Sequence, residues 1–115
     1  MNYDLLVHVD DNDPARLNLA MNNCANYAAA LPNEEFQTVM VVTGPAAQLF
    51  TKDNAAQAAR GEQLMKAGLS IRLCNNALNA FNVDRSKLWD GCEIIPAGMV
   101  EIVKLQREGF AYVKP

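Results

Sequence analysis

Short apolar runs recur along the chain, and between them apolar residues return at every third or fourth position, so strand-like and helix-like periods alternate. The first run, Tyr3 to Val9 (Y-D-L-L-V-H-V), has no helical spacing and closes on Asp10-Asp11-Asn12-Asp13, the pattern of a strand buried on both faces. Asp13 followed by Pro14 starts a helix: a carboxylate accepts from free backbone N–H groups, and proline stands where its missing N–H does no harm. That helix is predicted to run to about Leu31, where Pro32 stops it, with Leu17, Met21, Cys24, Ala28 and Leu31 as its apolar stripe. Phe36 to Thr43 is rich in β-branched residues and predicts a second strand ended by Gly44-Pro45. The Ala-rich stretch from Pro45 to Gly68 predicts a short helix and then a longer one.

Leu69 to Leu73 forms the third predicted strand, with Cys74 at its carboxyl end and Asn75-Asn76 as the cap of a helix over Ala77 to Phe81. A polar connection from Val83 to Asp90 carries a helical turn around Leu88 and Trp89, and Glu93 to Ile95 is a short fourth strand. Pro96-Ala97-Gly98 then opens a helix from Met99 to about Glu108, and Gly109 releases it into a fifth strand, Phe110 to Val113. Strands separated by helices need crossover connections, which predicts an α/β fold: a three-layer α/β/α sandwich with a mainly parallel five-stranded sheet. With 115 residues, 50% of them hydrophobic, the chain supplies one core, and residues 1–115 are expected to form a single domain.

Charge and cysteine content narrow the function classes. A formal net charge of −3 with singly scattered basic residues leaves no electrostatic footprint for nucleic acid or an anionic membrane. The N-terminal run has no basic leader, and no apolar run is long enough to span a bilayer, so a cytoplasmic protein is expected. Three cysteines, an odd and small number, fit a reducing compartment with free thiols.

In parallel sheets, functional groups gather beyond the carboxyl ends of the strands: here Asp10 to Asp13, Thr43 to Pro45, Cys74 to Asn76, and Pro96 to Gly98. That rule singles out Cys74, whose strand-to-helix junction offers free N–H groups and a helix dipole that favour the nucleophilic thiolate. Cys24 lies in the first helix's apolar stripe and reads as core, and Cys92, after the turn pair Asp90-Gly91, reads as structural or as a secondary thiol. His8, the one histidine, is either a hydrogen-bonded core residue or, from its nearness to the strand's functional end, part of a site. The acidic loop reads as a solvated turn and helix cap; V-D-D-N also resembles the opening of a receiver domain, but the third strand ends in Cys74 where the phosphoacceptor Asp would stand. No metal-ligand spacing, phosphate-binding glycine motif or G-x-S-x-G elbow occurs, and no metal or cofactor is expected.

The opening V-H-V-D-D-N-D-P-A-R-L-N-L-A-M-N-N, the central L-C-N-N-A-L and above all the closing I-I-P-A-G-M-V-E-I-V-K-L-Q-R-E-G-F-A-Y-V-K-P resemble the DsrE/DsrF-like family of small intracellular sulfur-oxidation and sulfur-relay proteins. The resemblance covers essentially the whole chain. It implies a three-layer fold, self-assembly into homotrimers or homohexamers, and a persulfide-carrying cysteine at Cys74. This chain has Ala77 where similar chains place Thr, so a hydroxyl donor is missing. The implied chemistry is a sulfur carrier: Cys74 accepts sulfane sulfur from a donor and passes it to a partner protein's thiol. Asn75 and Asn76 would offer N–H groups to the anionic sulfur, Gly44 and Gly98 close backbone approach, and Asp10 and His8 would complete the substrate-binding set. The competing reading is a non-catalytic oligomeric binding or regulatory module with a structural Cys74. Either accommodates the last helix, whose Met99, Val100, Ile102, Val103 and Leu105 make a wider apolar face than one contact needs, so part of it is expected to meet another subunit.

Overall fold

The direction in which each crossover steps determines the layering. The computed structural model describes residues 1–115. Strands β1 (Leu5–Val9), β2 (Thr38–Val42), β3 (Leu69–Cys74) and β4 (Glu93–Ile95) lie side by side in chain order, and β5 (Ala111–Val113) returns to the other edge beside β1. All four neighbouring pairs are parallel. Crossovers of one hand that step in one direction leave their helices on one face, and a step back sends the helix to the opposite face. Accordingly α1 (Pro14–Ala30), α2 (Ala55–Lys66) and α3 (Asn75–Ala80) share one face, where Leu17, Met21, Ala58 and Leu78 join Val7, Met40 and Ile71 in the larger core. Helix α4 (Gly98–Arg107) lies on the other face, where Ile102 and Leu105 pack with Leu6, Val39, Val41 and Phe110.

The expected elements are present, with local differences that have physical causes. The Asp13 carboxylate accepts from Ala15 N–H at 3.0 Å and starts α1 as predicted. Strand β1 begins at Leu5, and the Tyr3 carbonyl ahead of it accepts the Tyr27 hydroxyl at 2.7 Å. Ala28 is exposed, so the buried stripe of α1 is Leu17, Ala20, Met21 and Cys24. Helix α3 starts at Asn75, earlier than expected, because Cys74 itself, in extended conformation, is the N-cap residue; Asn75 and Asn76 belong to the first turn and are not its caps.

The connection before β4 is also organised differently from the expectation. Its helical turn is at Arg85–Lys87, started by the Asp84 carboxylate accepting from Ser86 N–H at 3.0 Å, and not around Leu88 and Trp89. Trp89 is instead fully buried: its Nε1–H donates to the Thr51 carbonyl at 3.0 Å and its ring meets Phe50 at 4.4 Å between centroids.

One helix covers the α4 face and three cover the other. Met99 and Val100 are 67% and 68% exposed, and with half-exposed Val103 they leave much of α4's apolar stripe turned outward.

Candidate functional site

Cys74 stands where two neighbouring strands send their chains to opposite faces. After β3 the chain turns into α3 on the larger-core side, and after β4 it turns into α4 on the other. Cys74 pairs in register with Ile95, the last residue of β4, so it lies at the divergence point beyond whose strand ends open parallel sheets bind ligands. The starts of both helices border it. Cys74 is the N-cap residue of α3, and a methyl group at Gly98, the first residue of α4, would lie 3.3 Å from Cys74 Cβ and run into Thr43 Cγ2. Neither helix start has a side-chain cap, so the first backbone N–H groups of each have no side-chain acceptor, and their partial positive charge borders the thiol. Cys74 is only 7% exposed.

Gly98 leaves no room for a Cβ between α4 and the two strands. Gly44 has more space, since a methyl there would sit an ordinary 3.5 Å from the Asp10 carbonyl, and its φ of +57° at the turn after β2 is what favours glycine. Asn75 is half-buried and Asn76 exposed, and what they bring towards Cys74 is backbone N–H.

A row of polar side chains lies on the α4 face of the sheet. His8 is buried among apolar strands, with Nε2 2.8 Å from Thr43 Oγ1 and Nδ1 2.6 Å from the Tyr112 hydroxyl. Burial pushes its pKa below 6.5, against the raising effect of Asp10 and with the lowering effect of Lys114, so the ring is neutral at pH 7. Asp10 Oδ1 is closed off from solvent and faces Lys114 Nζ at 3.3 Å, an ion-pair contact without hydrogen-bond alignment. Asp11 pairs with Arg16 at 3.4 Å and Asp13 caps α1, which divides the acidic loop among separate structural tasks. Sequence reasoning placed Thr43 at a functional strand end but gave it no role, and it missed Tyr112. The signal available for Tyr112 was its place in a strand, which says nothing about the strand beside it.

The other thiols are set apart. Burial raises the Cys24 pKa to about 11; burial and then Glu62 raise that of Cys92 to about 12. Cys92 precedes β4 at the end of the sheet opposite Cys74, so the two thiols are separated by the length of that strand. A cleft of about 370 Å³ between α1, α2 and the first residues of β2 and β3 is lined by Cys24, Phe36 and Leu64, and Cys74 does not reach it. No group of three or more His, Cys, Asp or Glu residues is clustered to hold a metal ion. No helix is long and apolar enough to cross a membrane.

An all-parallel five-stranded α/β sandwich with one cysteine at its strand-divergence point defines the class of protein. The model of the DsrE/DsrF-like family matches residues 3–115, and the chain belongs to that family, which is associated with sulfur relay. The solved structure of MTH1491, a protein of unknown function from Methanobacterium thermoautotrophicum, is similar throughout, with a TM-score of 0.90 and 27% identity over 99% of this chain and 100% of that one. No curated protein matches the chain.

Proposed function

We propose that the protein is a sulfur carrier that holds sulfane sulfur as a persulfide on Cys74. The observation that carries this reading is the convergence of two uncapped helix starts on one thiol at the divergence point of β3 and β4. Backbone N–H groups and helix dipoles favour an anion there, and both the attacking thiolate and the persulfide it becomes are anions. The Cys74 thiolate attacks the outer sulfur of a donor persulfide, R–S–SH. A new S–S bond forms on Cys74, the donor's S–S bond breaks, and the donor leaves as R–S⁻. An acceptor thiolate then attacks the outer sulfur and returns Cys74 to a thiolate, so no net oxidant or reductant is consumed. The exposed Met99, Val100 and Val103 of α4 support association of the chain with copies of itself, as a homotrimer or homohexamer.

The test is peptide mass spectrometry after brief exposure of the reduced, folded protein to polysulfide, with alkylation at all three cysteines. Gain of one sulfur at Cys74, removed by a thiol reductant and absent from Cys74→Ser, is expected. No gain at Cys74 while the protein remains folded overturns the reading and leaves Cys74 structural.

A further inference from the structure

We propose that the Thr43 hydroxyl holds the sulfur anion on Cys74, and that Tyr112 and His8 position it through a chain of hydrogen bonds; this deepens the sulfur-carrier reading and rests on it. The row crosses four consecutive strands. Tyr112 is on β5, His8 on β1, Thr43 at the end of β2 and Cys74 at the end of β3, in the order in which those strands lie in the sheet. Val42 pairs with Leu73, so the next residues along, Thr43 and Cys74, stand beside each other on strands about 4.8 Å apart. Alternation turns Thr43 towards the α4 face, and Gly98 packs against it and against Cys74 Cβ, while Cys74 also touches the larger core.

One tautomer of His8 makes the row a chain of donors. A neutral imidazole has one N–H and one acceptor nitrogen. When the Tyr112 hydroxyl donates to Nδ1 across 2.6 Å, the proton of the ring is on Nε2, which donates to Thr43 Oγ1 across 2.8 Å. The Thr43 oxygen is then engaged as an acceptor and its own proton is free to donate. His8 is the partner of that hydroxyl in the resting chain. An ionised sulfur on the adjacent strand, turned towards it by rotation of Cys74 about χ1 while Thr43 stays on His8, is the strong acceptor for the free proton. No proton leaves any group in this arrangement; each hydroxyl or N–H donates along the row.

The charged groups facing His8 are Asp10 from its own strand and Lys114 from beyond β5. Thr43 from β2 is uncharged. On the side of α4, the one acidic residue of the first turn, Glu101, is held by Arg72 at 3.4 Å. A change at Thr43 thus alters the hydroxyl and leaves these charges in place.

The experiment follows the pH dependence of Cys74 alkylation in the full chain, which requires no sulfur donor, and compares wild type with Thr43→Val, Thr43→Ser and Tyr112→Phe. Thr43→Val, which keeps the shape, is expected to slow alkylation at neutral pH by about tenfold and move the midpoint upward, the loss of one hydrogen bond to an ionised group. Thr43→Ser is expected to restore both, and Tyr112→Phe to move the midpoint the same way by less. Unchanged midpoints in folded Thr43→Val and Tyr112→Phe overturn the proposal. Tyr112 is on an exposed edge strand, so its variant decides the matter if Thr43→Val fails to fold. Sulfur uptake by the wild type is measured separately. No uptake with a Thr43-dependent midpoint removes the carrier reading and leaves the donor chain standing, whereas uptake with a Thr43-independent midpoint does the reverse.

Discussion

Gly98 packs directly against Cys74: a methyl group on it would lie 3.3 Å from the cysteine's Cβ and collide with Thr43 Cγ2. That contact brings the start of α4 to the thiol, and it joins the smaller face of the sheet to the proposed chemistry.

Gly98→Ala is expected to push α4 away from β2 and β3. Overpacking of this kind costs about 1–3 kcal/mol, and the helix start would retreat from the sulfur. Urea unfolding should show the loss, and Cys74 alkylation near neutral pH should slow in the folded variant. A variant with wild-type stability and reactivity would mean that the α4 start has no influence on the thiol.

Gly61 presents a similar contact in the larger core. Within a helix, alanine normally gains about 1 kcal/mol over glycine. Here the added methyl would meet the Trp89 ring, which is buried, held by its bond to Thr51 and packed at a tilt against Phe50. Overpacking by about 1–3 kcal/mol should therefore win, and Gly61→Ala should unfold at lower urea with altered Trp89 fluorescence.

Acid should weaken the fold through His8. Its folded pKa lies below 6.5, chiefly because burial disfavours the charged ring, so between 6.5 and the folded value the unfolded chain binds more protons. Stability is full above that window and falls as pH drops through it. His8→Gln should lose this component of the acid sensitivity, read as urea midpoints taken across the window in both proteins.

The thiols should separate by environment. At about pH 7.5, Cys24 and Cys92, raised to about 11 and about 12, should resist alkylation in the folded chain and react only once it is denatured. Timed alkylation with peptide mapping reads all three cysteines at once. Fast native labelling of Cys92 would contradict its burial.

If copies associate through the outer stripe of α4, a charge there should separate them. Val100→Glu adds a carboxylate at a residue 68% exposed in the single chain, so folding should change by less than about 0.5 kcal/mol while the native mass falls to that of a monomer. An unchanged assembly would assign the interface to another surface.

Much of the framework was legible in local pattern. The Asp13-Pro14 start of α1, the β-branched run of β2 and the short β4 all follow from rules that act within a few residues, and β4 was read with the bounds it has. The strand-end rule likewise points to Cys74 from sequence alone, because its position relative to a strand and a helix is a property of the chain itself. Asn75 shows the limit: with Asn76 it reads as the cap of α3, and the extended backbone at Cys74 makes the cysteine the cap.

What lay beyond the sequence were the relations between strands distant in the chain. Nothing local tells that β5 returns beside β1, yet this alone brings the Tyr112 hydroxyl to His8. The Trp89 environment is of the same kind, assembled from Gly61, Phe50 and Thr51 on other segments. Periodicity and capping depend on neighbours a turn or a pleat away, so the sequence by itself determined the elements and the thiol at the end of the third strand. Which side chains meet across the sheet depends on strand order and on the face to which each crossover is sent, and only the tertiary structure decided that His8 meets Thr43 and Tyr112 and that Gly98 packs against Thr43 and Cys74.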